Sequence, residues 1–167
     1  MCGGVEFKAF NLKTGRVEYR RVYFPMPHAK LPVVGAKGAA LITWGKRENE
    51  LAESDLPKGG WARLDSLQAG RWKRFKPQPV IIPVRQFMEK DREKTSHWFP
   101  LNAEQVIQGI GIVDGGKPYV YVVTIPGNET DVHDRMPSVI SLDEARQQLN
   151  FTWHEEDEEW PWLKPIS

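Results

Sequence analysis

A single cysteine, Cys2, stands in 167 residues, so no internal disulfide can form and the fold must be held by its core. No uncharged apolar run approaches the roughly 20 residues that a membrane-crossing helix needs, which excludes a helical span. Internal repeats and low-complexity segments are absent, excluding solenoids and a disordered chain. Residues Met1-Cys2-Gly3-Gly4-Val5-Glu6 lack the basic start and apolar run of a secretory signal, so the expected location is the cytoplasm. His28, His97, His133 and His154 have no metal-site spacing with the lone cysteine, and His154-Glu155-Glu156-Asp157-Glu158 lacks the second histidine of a zinc-protease helix. Gly59-Gly60 and Gly115-Gly116 form no phosphate-binding loop. Neither a metal nor a cofactor is expected.

Net charge is also nearly absent, at +1, but it is unevenly placed. Residues 1–140 carry 21 basic against 15 acidic side chains, net +6, and residues 141–167 carry 2 against 7, net −5. A basic body with an acidic end suggests an anionic partner or a tail that folds back, against the plainer alternative of a solvated end. Apolar residues at 40% and charged residues at 27% are near the globular average. The expectation is a monomer with one domain over 1–150 and a loose, acidic, Trp-rich tail over 151–167.

Period-two alternation from Val5 to Phe10 and from Arg16 to Phe24 flanks the turn segment Asn11-Leu12-Lys13-Thr14-Gly15, which predicts a hairpin. Val106 to Val113 and Tyr119 to Ile125 flank Asp114-Gly115-Gly116 and predict a second, because an Asp-Gly pair tolerates the positive φ of a tight turn. Ala39 to Trp44 and Val80 to Val84 read as buried strands, the latter at an edge or bulge because of Pro83. Ser141 with Glu144 three residues on is a capping box, predicting a helix through Leu149, and a weaker helix is expected near Asn102. Beyond Asn150 the pattern predicts an extended strap held by its aromatics, Trp160 and Trp162 among them. The fold class is α+β, antiparallel and β-rich.

Three segments carry candidate chemistry. Removing Met1 would leave Cys2 as a 1,2-aminothiol, whose amine (reference pKa about 7.7–8.0) and thiol (about 8.5) are both available near neutrality. Such a pair captures an aldehyde twice, as a Schiff base and then a five-membered thiazolidine. Gly3 and Gly4 would allow close approach of a substrate. The plain alternative is an ordinary processed terminus. Next, the polar segment Thr130-Asp131-Val132-His133-Asp134-Arg135-Met136-Pro137 places a histidine where Asp134 and Arg135 could set its tautomer, unless His133 is simply a surface residue in a turn. Third, Lys58, Arg63, Arg71, Lys73, Arg74 and Lys76 are interleaved with Trp61, Trp72 and Phe75. That pattern suits phosphates and unpaired bases, or else solvated cations around core tryptophans.

Taken in order, Met1-Cys2-Gly3, Trp44-Gly45, Ala62-Arg63, Ile82-Pro83, Phe87-Met88-Glu89, Val132-His133-Asp134-Arg135-Met136-Pro137 and Leu142-Asp143-Glu144-Ala145 resemble the SOS response-associated peptidase (SRAP) family, as a short, divergent member. The resemblance runs from residue 2 to about 150 and is most specific at Cys2-Gly3 and the His-Asp-Arg-x-Pro loop. It implies a barrel-like core with few flanking helices, a DNA-damage role, and capture of abasic sites in single-stranded DNA through a free amino-terminal cysteine, with autoprocessing. It also implies that Cys2 is the nucleophile, Glu89 the catalytic carboxylate and His133 the catalytic histidine. By the same resemblance Arg63 and Arg71 contact phosphates, and Gly3, Trp44, Trp61 and Trp72 complete the set of candidate DNA-binding residues. Without it, Glu89 reads as part of the solvated run Glu89-Lys90-Asp91-Arg92-Glu93-Lys94. Two positions depart from the family pattern: Trp61 stands for an Asn and Gly4 for an Arg. The alternatives are a Cys-dependent amide hydrolase and a binding module of mobile-element origin that has lost its chemistry.

Overall fold

The computed structural model describes residues 3–47, 55–127, 134–149 and 160–165. In chain order the elements are β1 (Gly4–Asn11), β2 (Arg16–Tyr23), β3 (Lys30–Gly35), β4 (Gly38–Trp44), β5 (Trp61–Arg63), α1 (Leu64–Gln68), a 3-10 turn (Lys73–Phe75), β6 (Gln78–Ile82), β7 (Gln86–Lys90), β8 (Ser96–Pro100), β9 (Gln105–Asp114), β10 (Lys117–Pro126), β11 (Arg135–Pro137), β12 (Val139–Ser141), α2 (Leu142–Leu149) and a 3-10 turn (Pro161–Leu163). The class is β-rich α+β, as expected, and both predicted hairpins form: β1 with β2, and β9 with β10. Among the described residues no helix is long and apolar enough to cross a membrane.

Strands β10, β4, β3, β6 and β9 pair in sequence and β9 returns to β10, closing a five-stranded barrel. The barrel is antiparallel except where β4 meets β10. A second sheet, β2-β1-β7-β8, is antiparallel throughout. Successive residues of a strand face opposite ways, and both faces of β10 are buried. Val120 and Val122 join a large cluster with Val5, Phe7, Leu31, Trp44, Ile82 and Phe87. Tyr119, Tyr121 and Val123 join a smaller one with Ala62, Trp72, Ile110 and Ile112.

Three expectations are corrected. No helix forms near Asn102: its Oδ1 accepts the Glu104 amide (2.9 Å) while Gln105 Oε1 accepts the Asn102 amide (3.1 Å), a side-chain turn that leads straight into β9. The strand predicted over Val80–Val84 ends at Ile82, before the donor-less Pro83, and lies between β3 and β9 rather than at an edge. The chain end is not loose throughout. Trp162 and Leu163 are 5% and 9% exposed within the large cluster, against β1 and β4, although residues 151–159 of the expected strap lie outside the described residues. The capping box behaves as predicted, Ser141 Oγ accepting the Glu144 amide at 3.2 Å.

Because Trp162 fills the core, Trp162→Ala should lower unfolding free energy by about 3–5 kcal/mol, read from urea melts. A loss under 1 kcal/mol would mean the terminal turn merely rests on the surface.

Candidate functional site

The site is built where β1 starts. Gly3 donates its amide to the Met88 carbonyl (2.9 Å) and accepts the Phe24 amide on its own carbonyl (3.2 Å), so the residue after Cys2 is held between the ends of β2 and β7. Gly4 pairs with Tyr23 on one side and Met88 on the other. A Cβ on Gly4 would lie 2.9 Å from the Tyr23 ring, so the family Arg could stand here only if that ring moved.

On β7, Phe87 and Glu89 share one face. Phe87 points into the large cluster and stacks on Phe99, which places the Glu89 carboxylate on the core side; it is wholly buried. Burial pushes its pKa from 4.5 up to about 7; the positive chain terminus works against the rise and the negative charge of Asp134 adds to it. A carboxyl poised there both gives and takes protons at neutral pH. Of the charged run 89–94 that the sequence reads as solvated, Glu89 is thus the buried exception.

Asp134 reaches this neighbourhood because its carbonyl accepts the Gly127 amide (2.7 Å), tying off the segment between β10 and β11. Arg135, expected beside His133 to set its tautomer, also ties strands together, while His133 itself lies outside the described residues. Its guanidinium donates to the Thr124 carbonyl (2.7 Å) and Oγ1 (3.1 Å) and lies 3.8 Å from Asp65, a clamp between β10, β11 and α1. Cys2 and His133 lie outside the described residues. Their covalent neighbours Gly3 and Asp134 are brought to the two strands and the charge of Glu89, from positions 86 and 45 residues away in sequence.

The expected DNA-contacting residues divide. Trp44 is wholly buried, its indole N–H donating to the Gly60 carbonyl (3.0 Å). That packing explains the glycine pair: a Cβ on Gly60 would sit 2.6 Å from the Trp44 indole nitrogen. Trp72 is buried too, 5.0 Å from the Tyr121 ring, and covers the smaller cluster. Neither indole presents a face to a base. Trp61 is half-buried, 4.7 Å from Phe24, whose amide holds Gly3, so it stands one residue removed from the amino-terminal end of β1. Arg63 is exposed on β5, paired to Thr124 of β10, and Arg71 is exposed in the turn after α1. Sequence reading of the 58–76 stretch therefore sees cations correctly and overestimates the free aromatics.

His97 is a residue that the sequence reading passed over. It pairs directly with Glu89 across β7 and β8, and its Nε2 lies 2.7 Å from Asp91 Oδ2. Asp91 is fixed in turn, its Oδ1 accepting the amides of Glu93 (3.0 Å) and Thr95 (2.8 Å). The bond to His97 is the largest cause holding the Asp91 carboxyl below its usual value. An Asp and a His six apart across a tight turn was the available signal. Among the described residues no group of three or more His, Cys, Asp or Glu could hold a metal ion.

Glu89 makes stability depend on pH. Its folded pKa is above the unfolded one, so its contribution is complete below about 4.5 and is lost as pH rises to about 7. Glu89→Gln should therefore unfold like wild type at pH 4 and be more stable at pH 8, by up to about 3 kcal/mol, in urea melts at both values. Equal stability at pH 8 would show that the carboxyl is not raised. Comparison with protein-family models finds no matching family for the chain, and a search of curated proteins finds no match either.

Proposed function

We propose that the protein captures the ring-opened aldehyde of an abasic site in single-stranded DNA through Cys2 once Met1 is removed, as the resemblance to the SRAP family implies. The observation that carries this reading is the buried Glu89 carboxyl, with a pKa near 7, on the strand that binds the Gly3 backbone. The amine adds to the aldehyde carbon and the carbinolamine loses water to give a Schiff base. Glu89 takes the proton from the attacking amine and returns it to the departing hydroxyl. The Cys2 sulfur then adds to the same carbon, its proton passing to nitrogen, and the thiazolidine closes with the advantage of an intramolecular attack. His133 protonates the opened sugar oxygen, and the exposed cations Arg63 and Arg71 hold flanking phosphates.

With Met1 attached, the Cys2 nitrogen is an amide and forms no Schiff base. Met1-free protein incubated with an abasic single strand should give an adduct that survives denaturing electrophoresis. Cys2→Ala and Met1-retaining protein should give none, and Glu89→Gln should slow capture about 100-fold or more. If mass spectrometry shows the free cysteine, the aldehyde is verified and no adduct accumulates, capture is wrong and the noncovalent binding module takes its place.

A further inference from the structure

The β1–β2 hairpin outruns the sheet that supports it. β1 pairs with β7 only at residues 4–6, while it pairs with β2 as far as Asn11. Beyond Glu6 the hairpin overhangs the segment after β6, the turn before β9 and the terminal 3-10 turn, and between them lies a cavity of about 550 Å³. That volume is in the range of small-molecule sites. It opens four residues along β1 from Gly4, about 13 Å at the rise of a strand.

Its lining has a definite chemistry. Phe7, Tyr19, Trp160 and Trp162 are its aromatic lining, Tyr19 from the face of the hairpin that carries Lys8. Tyr19 is 49% exposed, one of three large apolar side chains that the hairpin leaves in solvent, with Leu12 and Val17. Two cations converge on that ring: the Arg85 guanidinium is 4.1 Å from its centroid and Lys8 Nζ is 5.9 Å. No carboxylate lies within ion-pairing distance of Arg85 among the described residues. Across the lining, the turn that replaces the expected helix engages the side-chain oxygens of Asn102 and Gln105, which leaves their amide nitrogens, which only donate, as the hydrogen-bonding groups these two side chains can offer. Among the described residues, Glu104 is the one acidic side chain in the lining.

Aromatic walls take a flat ring, amide donors match ring nitrogens and carbonyls, and cations at the mouth take an anion joined to that ring. We infer that this cleft is a nucleotide site, which seats one unpaired base against Tyr19 with its phosphate on Arg85 and Lys8. It deepens the single-strand reading given above, adding a noncovalent subsite beyond the aldehyde-capturing end. A free mononucleotide presents the same chemistry as one residue of a strand, and the two are separated by experiment.

The test is fluorescence anisotropy with an intact, labelled oligothymidylate of roughly 12 nucleotides, a length within the usual single-strand site sizes. Intact DNA has no aldehyde, so the result is independent of Cys2 chemistry. Failure of capture leaves this measurement standing, and failure here leaves the adduct assay standing. Tyr19→Ala should weaken binding about 5- to 100-fold. Arg85→Gln should weaken it and reduce the slope of log affinity against log salt by about one. Both residues are exposed, and unchanged melting curves establish that the variants fold. Competition by thymidine monophosphate at concentrations near those of the strand's nucleotides assigns the cleft to free nucleotides; competition only by the strand assigns it to DNA. Wild-type protein that binds neither probe, or binding unmoved by both substitutions, overturns the site.

Discussion

Strand β10 is the constraint on which the rest of the molecule depends. Within ten residues it pairs antiparallel with β9 and β11 and parallel with β4 and β5. Among the described residues no other strand has as many neighbours. Its alternation of Tyr119, Tyr121 and Val123 against Val120, Val122 and Thr124 assigns one face to each hydrophobic cluster. A slip of one residue would exchange the faces and strand both cores. The same register sets β5 and β11 at the end of β10, so the Arg135 clamp on Thr124 follows from the barrel's closure.

A barrel built this way can hold a carboxylate at its margin only at some cost. Desolvating a carboxylate is expensive, and where burial outweighs the groups that favour the charge, the carboxyl shifts toward its neutral form. Glu89 does so, and its fold-stabilising state is the protonated one. Natural sequences retain such groups where protons must move at neutral pH, so a group that weakens the fold above pH 7 is a candidate for chemistry, not for stability. The Asp91–His97 pair differs. It is partly exposed and locally stabilised by turn amides, and it faces Glu89 across the ladder as a fixed neighbour.

What the sequence disclosed followed local rules. Asp114-Gly115-Gly116 demanded positive φ, and Gly115 and Gly116 adopt it at 59° and 80°. Ser141 and Glu144 announced a helix start that forms. What it concealed was set by distant partners. β5 is three residues long and parallel to its neighbour, too short to show any period. Trp44 and Trp72 look identical to base-stacking tryptophans until Gly60 and Tyr121 are seen against them. The buried state of Glu89 was not legible, because a charge run carries no signal of which member turns inward. Asn102 misled because the same side chain that caps a helix also closes a turn.

Gly4 and Trp61, the two residues that differ from the pattern the sequence resembles, are physically joined. Gly4 is accommodated beside Tyr23, and Trp61 packs on Phe24, so the consecutive aromatics that end β2 meet both positions at once. Restoring a long side chain at Gly4 displaces the Tyr23 ring from its edge contact with Trp98 (6.1 Å). An asparagine at residue 61 would remove one of the partners of Phe24, which also meets Trp44 at 5.4 Å, and with it part of the support for the amide that holds Gly3. Arg47 adds to the same wall, its guanidinium 3.8 Å from the Phe24 ring centroid and donating to the Trp44 carbonyl at 2.6 Å. On the proposed reading, then, either reversion alone should perturb the backbone at Gly3, and the two substitutions should show a coupling energy well above the few tenths of a kcal/mol of independent sites. A double-mutant cycle on stability between Gly4→Ala and Trp61→Asn measures it. Simple additivity would mean that Tyr23 and Phe24 respond separately.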